Sequence, residues 1–169
     1  MNIRLFGLAD DSIVDGPGLR FAVFTQGCYH NCEGCHNPNS HDINGGYDED
    51  TDTIIDKIKS NPLLDGVTLS GGEPFLQAKP LTIIADAAKE AGLNVMAYTG
   101  YTFEELVKGA NEDNGWFELL NKLDLLVDGK FVLKERSIEL NFKGSKNQRI
   151  LNVPESLKEG KAVLSEIDK

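Results

Sequence analysis

The sequence has no fourth cysteine. Cys28, Cys32 and Cys35 are the only three in 169 residues, and the N-terminus, Met1-Asn2-Ile3-Arg4, carries no apolar leader. An odd count without an export signal argues against a disulfide framework. Long apolar runs are missing too. None approaches the roughly 20 residues that span a bilayer, so no membrane partner is expected and the expected location is cytoplasmic. Positive charge is scarce: 17 Lys and Arg against 27 Asp and Glu leave a formal net charge of -10. Phosphate backbones need a basic face, which excludes direct nucleic-acid recognition. Repeats, low-complexity tracts and interdomain linkers are also lacking. A chain of this length buries one core and is too short for two comfortable domains, so residues 1–169 read as a single domain.

What is present is concentrated in one loop. The cysteines follow a Cys-x3-Cys-x2-Cys spacing. A purely electron-carrying 4Fe-4S centre normally takes four cysteine ligands, so three suit a cubane cluster whose last iron is open to a non-protein ligand, and chemistry is expected at that iron. Other uses of these residues fit less well. A Cys3His zinc site completed by His30, His36 or His41 would normally pair two separated ligand clusters across a fold. Cys32-Glu33-Gly34-Cys35-His36 has the form of a haem attachment pattern, but that use wants an exported setting and leaves Cys28 unexplained. Thioredoxin-like Cys-x-x-Cys chemistry also leaves Cys28 without a role.

Short β-rich runs alternate with helical stretches, which favours a largely parallel sheet built from β-α units. Strands are expected at residues 19–25, 66–70, 94–98 and 123–127, with a weaker one at 148–153. Apolar residues at three-to-four spacing predict helices over 53–58 and 80–91, with Asp52 and Pro80 as start residues. Shorter helices are expected at 103–107 and 116–120, and a terminal one at 157–167; residues 37–52, containing Gly45-Gly46, read as a loop. Each polar or glycine-rich motif follows the carboxyl end of an expected strand, where parallel sheets and β-α barrels place their ligand sites. The full eight-stranded barrel typically takes roughly 250 residues, so the fold class expected is α/β, an incomplete (β/α) barrel of about five or six strands.

Gly71-Gly72-Glu73-Pro74 has two readings. It makes a tight strand-to-helix turn with no ligand, or its bare backbone admits a small ligand while Glu73 offers a carboxylate to an ammonium group. Together with the cysteine loop upstream, this turn resembles the signature of the radical S-adenosylmethionine (SAM) enzymes. Within that superfamily the chain is most similar to the glycyl-radical activases that serve anaerobic (class III) ribonucleotide reductases. The matches run in order from about residue 12 to about residue 151: Asp15-Gly16-Pro17-Gly18-Leu19-Arg20, Gly27-Cys28 with His30, Cys35-His36-Asn37, Leu69-Ser70-Gly71-Gly72-Glu73-Pro74, Tyr98-Thr99-Gly100-Tyr101, Val127-Asp128-Gly129-Lys130-Phe131 and Gly144-Ser145-Lys146-Asn147-Gln148-Arg149. The wider superfamily usually has an aromatic residue before the third cysteine, packed near the adenine of SAM. Here it is Gly34, as the reductase activators also tend to have, so adenine stacking comes from elsewhere or from backbone at Gly34 and His36.

The resemblance implies a radical SAM domain of the incomplete-barrel type holding one 4Fe-4S cluster on Cys28, Cys32 and Cys35. It implies that Gly34, Cys35 and His36 lie along the adenosine part of SAM, and that Ser70, Gly71, Gly72 and Glu73 take its methionyl ammonium. Thr99 and Asp128 would border the SAM site through a bound monovalent cation, and Lys130 would pair with the methionyl carboxylate or remain a solvated surface lysine. One electron from the reduced cluster would cleave SAM to a 5′-deoxyadenosyl radical, and this would take hydrogen from a glycine of the reductase. The cofactors carry that chemistry; the protein positions and shields. Implied partners are the large reductase subunit and an electron donor such as flavodoxin, in a homodimer or a complex with two copies of each chain. His30 and His36 read as polar residues of an exposed cluster loop. Asp15 to Gly18 reads as a turn or as a loop near the cluster or protein substrate, and Gly144 to Arg149 as a turn or a docking edge. Alternative functions are activation of another glycyl-radical enzyme such as pyruvate formate-lyase, a small-metabolite radical SAM enzyme, and a non-enzymatic electron-transfer module. Lyase activators are generally longer, and some add cysteine clusters. An electron-transfer module would keep four cysteines and leaves the Gly-Gly-Glu-Pro turn without a reason.

Overall fold

The computed structural model describes residues 1–35 and 38–168. Its strands are β1 (Asn2–Ser12), β2 (Arg20–Thr25), β3 (Tyr47–Asp50), β4 (Gly66–Gly71), β5 (Asn94–Tyr98), β6 (Leu125–Asp128) and β7 (Arg149–Asn152). Among the described residues these seven form one sheet in the order β3-β1-β2-β4-β5-β6-β7. The centre is parallel, β2 to β4, β4 to β5 and β5 to β6. The flanks are antiparallel: β1 runs against β2, β3 against β1 and β7 against β6. The sheet does not close, and the architecture is the expected incomplete β/α barrel.

Helices α1 (Thr51–Lys59), α2 (Ala78–Glu90), α3 (Phe103–Gly109), α4 (Trp116–Leu120) and α5 (Val153–Glu159) complete the fold. α2 turns Leu81, Ile84, Ala85 and Ala88 inward, the spacing of a helix that covers a sheet. They pack on Phe21, Val23, Val67, Leu69, Val95 and Ala97 in the main core. The start of α3 is fixed by a reciprocal capping box between Thr102 and Glu105, which satisfies two otherwise orphaned backbone donors.

Side chains alternate across a strand, so a second set occupies the concave face. Met96, Val127 and Ile150 form a small buried cluster there, joined by Tyr98, Phe142 and Ile167. The N-terminal end of this face is filled by Arg20, only 1% exposed. Its guanidinium donates to Thr68 Oγ1 at 2.7 Å, to the carbonyls of Pro17 and Val67, and to Asn94 Oδ1 at 2.8 Å. Burial pushes its pKa down to about 10.

Two strands and one helix differ from the sequence reading. β1 was not foreseen because its alternation covers only Ile3 and Leu5; Gly7 then breaks the register, and Asp10 and Asp11 follow. β3 lies inside the expected 37–52 loop and reads Tyr-Asp-Glu-Asp, a mostly exposed acidic edge with no apolar alternation. The terminal helix is α5, capped by the Asn152 side chain and stopped by Gly160 in the left-handed region, not 157–167. Beyond it the chain pairs along β7 through Asn152 N to Val163 O and Ser165 N to Ile150 O. α1 is capped by Asp50, two residues before the expected start, and α2 begins at Ala78, with Pro80 in its first turn. Among the described residues no helix is long and apolar enough to cross a membrane.

Replacing Arg20 by Met keeps much of the volume but leaves buried acceptors unmatched, and each such group costs about 1–3 kcal/mol. Urea unfolding is therefore expected to show a loss of roughly 3 kcal/mol. A change near zero would mean that these acceptors find other donors.

Candidate functional site

All four parallel strands end on one edge, and the segments that leave them form a cavity of about 560 Å³, within the usual range for small-molecule sites. The approach of two of these segments is unusually close. Gly71 has φ 97, and a Cβ there would lie 2.3 Å from Thr25 N; one on Gly72 would lie 2.3 Å from Gly27 O. Without side chains at both positions, Gly72 N donates to Thr25 O and Glu73 N to Gly27 O, each at 2.7 Å. The turn after β4 is thus stitched onto the chain as it enters the cysteine loop. The return side of the loop is held by Gly27 N to Ser40 O and Cys28 N to His41 O.

Cys28, Cys32, Cys35, Ser70, Gly71, Gly72 and Thr99 all line the cavity. Gly34, Glu73, Asp128 and Lys130 do not, and His36 lies outside the described residues, as does Asn37. The three thiols are free and partly buried. Burial pushes the Cys28 thiol up, Glu73 and the other two cysteines add to the shift, and the His30 backbone opposes it. Burial likewise raises Cys32, opposed by the Phe131 backbone. Among the described residues no three His, Cys, Asp or Glu side chains converge on a single ion.

Glu73 was expected to face the cofactor but sits behind the cavity wall at 1% exposure. Its Oε1 accepts from Gly100 N at 2.8 Å and meets His30 Nε2 at 2.6 Å. Its Oε2 accepts from the Thr99 hydroxyl at 2.8 Å and from Phe75 N at 3.0 Å. His30 is therefore not a solvated loop residue: its side chain is 9% exposed and its ring packs edge-on against Tyr101, centroids 4.6 Å apart. The usable signal was Gly100, where a Cβ would stand 2.4 Å from the imidazole.

Asp128 accepts from Phe103 N at 2.8 Å and from Arg149 Nε at 3.0 Å. The ion pair raises the Arg149 pKa, and the same guanidinium reaches Glu104 at 2.7 Å, holding that carboxyl below its usual range. The pair locks α3 to β7, a role the sequence reading missed. Lys130 is exposed, between the cavity-lining Gly129 and Phe131. Gly34 has φ 74, and a Cβ there would lie 2.8 Å from Leu133 Cδ1 and 3.3 Å from Phe131 Cε2. Residues 144–149 brace this loop from below: Gln148 Nε2 donates to Gly129 O and Asn147 Nδ2 to Lys130 O. Ahead of β2, Val14 and Asp15 also reach the cavity.

Residues 14–151 match the family described as the 4Fe-4S single cluster domain. The anaerobic ribonucleoside-triphosphate reductase-activating protein of Vibrio cholerae is 34% identical over 146 residues, 82% of this chain and 90% of its own. Pyruvate formate-lyase-activating enzymes are also similar. That of Listeria monocytogenes is 35% identical over 152 residues, 84% of this chain and 59% of its own, and that of Clostridium pasteurianum is 37% identical over 114 residues, 62% of this chain and 48% of its own. The chain belongs to the radical SAM glycyl-radical activase family.

In this activase the matched region that contains the three cysteines is an iron-sulfur cluster-binding region. The donor set fits such a group: three thiols and the side-chain-free backbone of Gly71 and Gly72 line the same cavity. That backbone tolerates no added carbon. Gly71→Ala combines a left-handed φ, costing about 1–3 kcal/mol, with a backbone collision, so we expect at least roughly 3 kcal/mol of destabilisation in denaturant unfolding of the apo-protein. Gly92→Ala is the control, with φ 78 but nothing within 4 Å of the new Cβ. It should cost about 1 kcal/mol, and equal losses at the two positions would remove the close approach as the cause.

Proposed function

We propose that this activase installs a glycyl radical on an anaerobic class III ribonucleotide reductase, using one 4Fe-4S cluster and SAM. The observation that carries the reading is the single cavity lined by Cys28, Cys32 and Cys35 together with Ser70, Gly71 and Gly72. Choice of the reductase over the lyase is supported by the resemblance to reductase activators at Gly34, at Asp128-Gly129-Lys130-Phe131 and at Gly144-Ser145-Lys146-Asn147-Gln148.

Cys28, Cys32 and Cys35 would each hold one iron, leaving the fourth open to the amino acid end of SAM. When bound, these groups supply a one-electron cleavage of the sulfonium bond, with the electron from a flavodoxin-type donor, and an organic radical that takes hydrogen from a glycine Cα. The chain's own work is placement. Gly34, Cys35 and His36 are assigned to the adenosine portion. Ser70, Gly71 and Gly72 present backbone to the methionyl ammonium, Lys130 is assigned to the carboxylate, and Thr99 borders the same end. Asp128, held by Arg149 and Phe103 N, fixes the loop that carries Lys130. An open barrel leaves one side of the cavity to be covered, and a protein substrate that covers it would also exclude water.

After anaerobic reconstitution with iron and sulfide and reduction by dithionite, the protein should convert SAM to 5′-deoxyadenosine. Replacing Cys28, Cys32 or Cys35 by Ala should abolish both the 4Fe-4S spectrum and this conversion. No SAM cleavage by a fully loaded wild type would sink the enzyme reading. With purified partners, a glycyl-radical signal on pyruvate formate-lyase and none on the reductase would reverse the choice of partner.

A further inference from the structure

Glu73 has no vacancy for a cofactor. A carboxylate offers about four lone-pair sites, and four protein groups meet this one: His30 Nε2, Gly100 N, Thr99 Oγ1 and Phe75 N. Because it also stays out of the cavity lining, an ammonium from the cavity would have to pass the wall and displace a buried partner. The four partners come from different segments. His30 stands in the cysteine loop between Cys28 and Cys32, Phe75 in the turn of Glu73 itself, and Thr99 and Gly100 in the loop after β5. His30 is wedged in place, with Gly100 lacking the carbon that would strike its ring and Tyr101 edge-on beside it.

We propose that Glu73 and His30 act as a positioning pair: through the imidazole, Glu73 sets the cysteine loop at a fixed distance from the Ser70–Gly72 backbone and from the loop after β5. The methionyl ammonium then belongs to the backbone of Gly71 and Gly72, which does line the cavity. What is positioned rests on the cluster-and-SAM reading; that the two side chains act as one unit does not.

The test uses the full chain with His30→Leu, His30→Gln, Glu73→Gln and the His30→Leu/Glu73→Gln double variant. Each is scored for iron per chain after anaerobic reconstitution, for the paramagnetic spectrum of the reduced cluster with and without SAM, and for the thermal midpoint of the apo-protein. Supporting contacts behind a metal centre are typically worth about 10–100-fold in affinity or activity. His30→Leu and Glu73→Gln should each cut cluster loading at limiting iron by about tenfold, and the clusters that do form should lose the spectral response to SAM. The double variant should be no worse than the worse single, because coupled residues are non-additive. His30→Gln keeps an N–H that can reach Glu73 and should restore loading and the SAM response, which a general packing defect would not allow.

The proposal is overturned if His30→Leu loads and responds to SAM like wild type while Glu73→Gln loads normally but needs about tenfold more SAM; Glu73 would then be a direct ligand. Additive losses in the double variant, or no rescue by His30→Gln, overturn it as well. If no variant loads at all, the apo midpoints decide: a double variant no lower than the lower single supports the pair, and additive lowering contradicts it. A wild type that loads no cluster or ignores SAM sinks the functional reading, and the apo midpoints still test the pair.

Discussion

The geometry of this site depends on how closely the ends of β2 and β4 approach one another. Neighbouring parallel strands sit at a fixed spacing, but the chain segments that leave them normally diverge, because side chains hold them apart. Here Gly71 and Gly72 remove that obstacle, and two 2.7 Å backbone hydrogen bonds close the gap. The cysteine loop therefore starts against the turn that follows β4, and the cavity lies in the angle between them. Just beyond Gly71 and Gly72, Glu73 stays out of the cavity lining, and its carboxylate gathers donors from the cysteine loop and from the loop after β5.

The concave face is divided along its length. Arg20 fills the end where the parallel strands begin, and Met96, Val127 and Ile150 form the buried cluster farther along the face, Val127 in register with Tyr98. Phe24, Ser70 and Tyr98 face the open end and line the cavity. Burial pushes the Tyr98 phenol well above its ordinary value, with Asp15 adding to the shift and Arg20 opposing it. The C-terminal segment pairs along β7 and brings Ile167 onto the same face, with Lys143 and Asp168 in an ion pair at 2.9 Å. One flank of the open barrel is covered by the chain itself.

Much of this was legible from pattern. The limits of β5 and α4 match the expected ones to the residue, because each is short, mostly apolar and bounded by turn residues. The convergence of the motifs followed from one rule, that parallel strands deliver their loops to the same edge. β1 and β3 were hidden because this antiparallel flank, with β3 at its edge, gains stability from main-chain pairing and needs little apolar alternation. His30 was hidden for another reason. A histidine inside a cysteine loop looks solvated until the bare Cα of Gly100, seventy residues along the chain, is seen to make room for it. Asp128 and Glu73 show the same limit: a sequence shows that a carboxylate follows a strand, but not whether it faces the cavity or is consumed by donors behind it. In the fold Asp128 is met by Arg149 and Glu73 by four protein groups.

In the proposed reaction hydrogen moves from a glycine of a partner protein to a nucleoside fragment held in this cavity. That step is tested most directly by deuterium transfer. The reductase is prepared with deuterium at its glycine Cα positions, mixed anaerobically with the reconstituted, reduced protein and SAM, and the 5′-deoxyadenosine is analysed by mass spectrometry. The account predicts that 5′-deoxyadenosine carries one deuterium in step with the growth of a glycyl radical on the reductase. Unlabelled 5′-deoxyadenosine formed at the same rate with and without the reductase, and no radical on the partner, would contradict it.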